Sequence, residues 1–314
     1  MQINYFVNNY HTCTGKCRYL HAGDFRRSKL QLPVPEGQKG NATLLCEIGG
    51  GKSLYMVRAK KHLGQHFLTD KNIASKIVES LRPSDRYRKV LEVGPGMGVL
   101  TDFLLQKTDY ETYLIDLDSE SVAYLHTKYP SLGERLINGD FLALDFKALF
   151  NEPVGVIGNF PYNISSQILF KVLENRQQIP EVVGMFQKEV AERCTAKAGS
   201  KEYGILSVFV QAYYNVEYLF TVKAGVFNPP PKVLSAVIRL SRNATQKLEC
   251  DEDLFWKVVK AGFNQRRKTL RNALAGLISK EKMGDEPVFE LRAERLDVAD
   301  FIRLTNLVGG SQTK

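Results

Sequence analysis

The sequence predicts an α/β protein: a mostly parallel sheet flanked by helices, with a small all-helical second domain at its C-terminal end. Three observations carry that prediction. Short apolar runs recur between residues 89 and 187, and stretches of helical period fill the intervals. The first of these runs opens into a glycine-rich turn and then a helix. Beyond about residue 254 the apolar residues keep a helical period and no strand pattern follows.

Taken in order, DKNIASKIVESL (70–81) puts Ile73, Ile77, Val78 and Leu81 on one helical face, with Asp70 as the N-cap. KVLEVG (89–94), TYLID (112–116), RLINGD (135–140) and VGVIGN (154–159) read as short strands, separated by helical stretches such as 100–107 and 119–128. A helix-like segment begins after Tyr162. VVGMFQ (182–187) continues the sheet, and VLSAVIRL (233–240) adds a late strand after a proline-rich turn. The polar stretch SRNATQKLECDED then leads into LFWKVVKAGF, RRKTLRNALAGLI and VADFIRLTNLV, all helical in period. The expected division is 57–245 for the α/β domain and 246–314 for the helical one.

Residues 1–56 keep no period. They are either a genuine extension or sequence upstream of a true start at Met56. His11, Cys13, Cys17 and His21 match no standard zinc spacing, and GGGKS (49–53) has Cys46 where a P-loop needs its first glycine.

A formal charge of +9 favours a polyanionic partner. No window approaches the roughly 18 consecutive apolar residues of a membrane span, and the first thirty residues lack a secretory pattern, so a cytoplasmic protein is expected. Five scattered cysteines, an odd number, do not form a disulfide framework.

LEVGPGMGVLTDFLL (91–105) is a strand, a turn and a helix. Gly94, Gly96 and Gly98 let the backbone pass close to a ligand, and Asp116 closes the next strand, where a carboxylate can take two ribose hydroxyls. The order is G-x-G-x-G, and Pro95 removes an N–H that a dinucleotide pyrophosphate would use. S-adenosylmethionine, with an adenosine and an amino acid but no phosphate, fits better. Asp140, on the same strand-end edge, can accept the amine of the cofactor's adenine, cap a helix, or do both.

Ligands of a parallel sheet sit beyond the carboxyl ends of its strands, which places Asn159-Phe160-Pro161-Tyr162 against the reacting methyl group. An adenine amine is a poor nucleophile because its lone pair is delocalised into the ring. If the Asn159 amide oxygen and the Phe160 carbonyl each accept one N–H, the nitrogen is drawn toward tetrahedral geometry. Pro161 stiffens the turn and Tyr162 offers a ring for the base. Positioning does most of the work, and no strong general base is required.

KKHLGQHFL (60–68), EVGPGMGVLT (92–101), NFPYNIS (159–165), VFNPPPKVLSAVIRL (226–240) and FNQRRKTLRNAL (263–274) together resemble the ribosomal RNA adenine dimethyltransferase family over about residues 57–308. The resemblance implies a Rossmann-like methyltransferase domain with a seven-stranded, mostly parallel sheet. It also implies S-adenosylmethionine as cofactor and dimethylation of two neighbouring adenines near the 3′ end of 16S rRNA in the small ribosomal subunit or its precursor. Carried over by motif, His66, Leu68, Gly94, Gly96, Asp116, Asp140 and Asn159 would hold the cofactor, and Tyr162 and Phe227 would sandwich the target base.

Two positions depart from the family's commoner pattern: His66 replaces Asn, and Asp116 replaces Glu. Arg266, Arg267, Lys268 and Arg271, expected on one helix, are either a solvated face or rRNA phosphate contacts, as are Arg58, Lys60 and Lys61. Related enzymes that modify large-subunit rRNA, and a non-catalytic assembly factor on the same fold, are the rival readings. A monomer is expected.

Overall fold

A computed structural model describes residues 57, 59–60, 63–83 and 86–310. The cysteine–histidine segment, GGGKS, Arg58 and Lys61 lie outside the described residues. In chain order the strands are β1 (Phe67–Leu68), β2 (Lys89–Val93), β3 (Glu111–Asp116), β4 (Leu136–Asn138), β5 (Val154–Asn159), β6 (Glu181–Gln187), β7 (Tyr214–Val222), β8 (Phe227–Asn228) and β9 (Ser235–Arg242). The helices are α1 (Lys71–Glu79), α2 (Thr101–Leu104), α3 (Ser119–Lys128), α4 (Phe146–Leu149), α5 (Ser165–Glu174), α6 (Lys188–Thr195), α7 (Ile205–Tyr213), α8 (Glu252–Asn264), α9 (Leu270–Ala273), α10 (Lys280–Met283) and α11 (Val298–Gly310).

Seven strands form one sheet in the order β4-β3-β2-β5-β6-β9-β7. The first five run parallel, and β9 and β7 are antiparallel additions at one side. β2, β5 and β6 are buried along nearly their whole length, as expected for strands covered by helices on both faces. The strand order reverses between β2 and β5, which opens a crevice at their carboxyl ends. A two-residue ribbon, β1 with β8, stands beside it.

Local chemistry agrees with this layout. Asp70 caps α1 by accepting from Asn72 N and Ile73 N, a contact worth about 1 kcal/mol, and Ile77 and Val78 are buried as their spacing predicts. β7 is a strand for which the sequence gives no clear start, because the apolar α7 runs into it without a Gly or Pro between Tyr213 and Tyr214. The C-terminal helices share the main apolar core with the sheet's own helices. Trp256 of α8 stacks on Phe209 of α7 at 3.7 Å between ring centroids.

The basic stretch after α8 is not the single helix its period predicts. α8 ends at Asn264, residues 265–268 turn, and a four-residue α9 restarts after Thr269. Arg266 lies at the break, its guanidinium bonded to Glu294 Oε2 (2.8 Å) and the Lys201 carbonyl (2.6 Å).

Candidate active site

The crevice holds an open cleft of about 940 Å³, counting the part open to solvent. Its walls come from the carboxyl ends of β2 (Val93), β3 (Ile115, Asp116) and β5 (Asn159), and from the turns that follow them. A smaller cavity adjoins it behind Phe67 and is lined by Leu68, Gly94, Pro95 and Met97.

The glycine turn is shaped by what packs on it. Gly94, Gly96 and Gly98 all have positive φ (67°, 54° and 75°), a region that side chains adopt at a cost. A Cβ on Gly96 would lie 2.8 Å from the Phe67 ring, and one on Gly98 2.7 Å from the Tyr129 hydroxyl. Gly94 N donates to Ile115 O, Gly96 N to Asp116 Oδ2, and Gly98 N to Pro95 O. With those amides committed and Pro95 carrying none, the turn does not offer a set of donors to a pyrophosphate. The observation favours a cofactor without phosphate.

Asp116 is 6% exposed. Burial pushes its carboxyl above the ordinary range, opposed by bonds from the amides of Asp118 (2.9 Å) and Gly96 (3.1 Å). A carboxylate has about four acceptor sites, so capacity remains for ribose hydroxyls. Leu117, an exposed apolar residue, and Phe141 line the same wall. Asp140 lines the cleft and also caps the turn at 141–143 by accepting from Leu142 N (2.8 Å). Beneath the turn lies Glu92, fully buried and held by Thr101 Oγ1 at 2.6 Å. Burial raises its carboxyl to about 8.

The opposite wall is neutral. Asn159 Nδ2 donates to the His66 carbonyl at 2.8 Å, which fixes the orientation of the amide and leaves Oδ1 as its acceptor end. Phe160 N donates to Met185 O, and the Phe160 ring sits in the core against Phe186. That ring fills space left by two glycines: a Cβ on Gly184 would collide with it, and one on Gly158 would lie 2.9 Å away. Pro161 carries the chain from the buried ring to Tyr162, whose hydroxyl bonds to the buried Ser235 Oγ. The His66 ring lies against Tyr162 (centroids 5.3 Å apart) while its Nδ1 meets the Pro229 carbonyl at 2.7 Å. A carbonyl only accepts, so Nδ1 carries the proton.

The structure therefore brings His66, Gly94, Gly96, Asp116, Asp140, Asn159, Phe160, Pro161 and Tyr162 to one cleft. Leu68 lines only the adjoining cavity. Phe227, at 4% exposure, pairs with Leu68 in the β1–β8 ribbon and packs into the apolar core; it is not among the residues that line the cleft. The basic residues also divide. Arg266 and Arg271 are engaged with Glu294 and Glu290, and Lys60 with Asp118, whereas Arg267 and Lys268 are exposed. Sequence reasoning missed Ser235, which carried no local signal, and Asp118, which the structure shows as the N-cap of α3.

The sequence profile described as Ribosomal RNA adenine dimethylase matches residues 56–307. "Ribosomal RNA small subunit methyltransferase A" of Cytophaga hutchinsonii is 58% identical over 254 residues, covering 81% of this chain and 98% of the relative. The protein of the same name from Flavobacterium johnsoniae is 53% identical, with 80% and 96% covered. Among solved structures, a dimethyladenosine transferase from Plasmodium falciparum superposes with a TM-score of 0.65 at 26% identity, covering 78% of this chain and 98% of its own. The 23S rRNA methyltransferase ErmE gives 0.60 at 25% identity, covering 77% and 99%. Match and relatives alike run nearly end to end through the segment that builds the cleft, and this chain belongs to the ribosomal RNA adenine dimethylase family.

Proposed function

We propose that the protein transfers methyl groups from S-adenosylmethionine to adenine amines of ribosomal RNA, two on each of two adjacent adenosines in the 3′-terminal hairpin loop of 16S rRNA. The relatives' names and family support the reaction class. The observation that carries the mechanism is the orientation of Asn159: with Nδ2 held by the His66 carbonyl, the amide presents its oxygen as acceptor.

Bound S-adenosylmethionine supplies an electrophilic methyl group and a neutral thioether leaving group. Asp116, Asp140 and the backbone at Gly94 would hold it, beside Leu117 and Phe141. On the substrate side, Asn159 Oδ1 and the Phe160 carbonyl accept the two N–H groups of the adenine amine and localise its lone pair. Tyr162, steadied by Ser235 and His66, gives the base a face to stack on. The amine's proton becomes acidic only after transfer and leaves to solvent.

Arg267 and Lys268 are the proposed phosphate contacts in this stretch, with Arg266 and Arg271 bracing the surface that presents them. Replacing both by Ala is expected to lower the salt slope of particle binding by about 1.5, since each phosphate contact contributes roughly 0.7–0.9. Cytoplasmic location and a monomeric state complete the proposal; among the described residues no helix is long and apolar enough to cross a membrane.

The deciding experiment is transfer from labelled S-adenosylmethionine to undermethylated small ribosomal particles, with large particles and naked rRNA in parallel. Dimethyladenosine in the small particle alone is expected. Label in large-subunit rRNA would reassign the substrate, and cofactor binding without transfer to any of them would overturn the enzymatic reading.

A further inference from the structure

Residues 63–67 form a strap along one side of the cleft, and with Lys60 it is tied down at several points. Gln65 Oε1 accepts from Lys60 N at 2.8 Å, so the strap's start folds back on itself. Its middle touches the catalytic turn: a Cβ on Gly64 would lie 2.6 Å from Asn163 Oδ1, and the His66 carbonyl takes the Asn159 amide. The outer tie is ionic. Lys60 Nζ lies 2.7 Å from Asp118 Oδ1 and 3.3 Å from Glu120 Oε1, and Gln65 Nε2 reaches Asp118 Oδ2 at 3.3 Å.

Asp118 is no ordinary surface partner. Its side chain is 1% exposed, and its own amide donates to Asp116 Oδ1. Burial works against its ionisation, yet the bonds from Lys60 and Gln65 outweigh that and hold its carboxyl below the usual range. A charge so enclosed needs its counter-ion.

We infer that Lys60 is a positioning residue of the cofactor site: its ammonium, together with Gln65, ties the 63–67 strap to Asp118 beside the cleft and does not serve as an rRNA phosphate contact. The inference rests on the proposed S-adenosylmethionine site. Removing the clamp lowers the fraction of chains with the strap seated, and apparent cofactor affinity falls by that fraction. Asp116, one hydrogen bond from Asp118, loses a nearby cation at the same time.

The test is calorimetric titration of the full chain with S-adenosylmethionine, comparing wild type, Lys60→Met, Lys60→Arg and Gln65→Ala, together with the salt slope of small-particle binding. Lys60→Met is expected to weaken the cofactor about tenfold with the salt slope unchanged, and Lys60→Arg to restore most of the affinity. Gln65→Ala, which cuts the other tie to Asp118, should weaken the cofactor in the same direction and add little to Lys60→Met. Lys60→Met binding the cofactor as tightly as wild type overturns the clamp, as does a salt slope lowered by about one with cofactor affinity intact. Failure of the wild type itself to bind the cofactor overturns the site reading on which the clamp depends.

Discussion

Around Asp116 the cleft is built from charge, whereas around Tyr162 it is built from neutral groups. The first wall holds Asp116 and Asp140, with the Asp118–Lys60 pair behind it; the second holds Asn159, the Phe160 carbonyl and Tyr162, with Ser235 behind it. The difference fits the chemistry each wall is proposed to meet. A sulfonium cofactor with an ammonium group and ribose hydroxyls is well served by carboxylates. An adenine amine must keep its lone pair free for attack, and a neutral acceptor shapes it without taking its proton.

The sharpest way to break that contrast is at Asn159. Asn159→Ala removes the acceptor and frees the His66 carbonyl, and kcat is expected to fall on the order of 10²- to 10³-fold with little change in cofactor affinity. Asn159→Asp keeps the oxygens but puts charge into the neutral wall and loses the donor to His66. Single-turnover transfer should show it nearly as impaired, and recovery of wild-type rate would remove neutrality from the argument.

Asp116→Ala attacks the charged wall. Cofactor affinity should drop about 10- to 100-fold, with a loss of roughly 1–3 kcal/mol in stability because two amides lose their acceptor. Titration and thermal unfolding together check both numbers, and unchanged affinity would take Asp116 out of the site. Tyr162→Phe and Ser235→Ala each cut the same hydrogen bond, so each should lower kcat by about 5- to 10-fold, and the double variant no further. Additive losses would mean that Ser235 acts elsewhere.

The smallest effect on turnover is expected at Glu92. Burial holds its folded-state value near 8, above the unfolded range, so the folded chain binds the extra proton. Its contribution to stability is full below the unfolded value of about 4.3 and declines as pH rises toward 8. Glu92→Gln carries no such titration. Between pH 5 and 8.5 the stability difference should move in the variant's favour by on the order of a few kcal/mol, measured by denaturant unfolding.

Much of both walls was legible in the sequence because strand ends and glycine spacing fix where residues such as Asp116 and Asn159 must stand. Contacts between distant segments were not. Nothing near Ser235 announces that it meets Tyr162, 73 residues away. The run of basic residues 266–271 looked uniform, yet Arg266 and Arg271 are turned inward by acids at 294 and 290, while Arg267 and Lys268 stay exposed. Local period also misled there, because the chain turns at 265–268 where spacing alone would have continued the helix. Phe227 pairs with Leu68 and is buried, a placement its motif does not announce.

The Phe160 ring, seated against Gly158 and Gly184, has a consequence for how the protein fails on heating. Because the ring sits within the core at the ends of β5 and β6, the turn at 159–162 should melt with the sheet and not ahead of it. Inactivation and unfolding should then share one midpoint. A methyl group added at residue 184, well inside the sheet, would disable the turn by displacing its wedge.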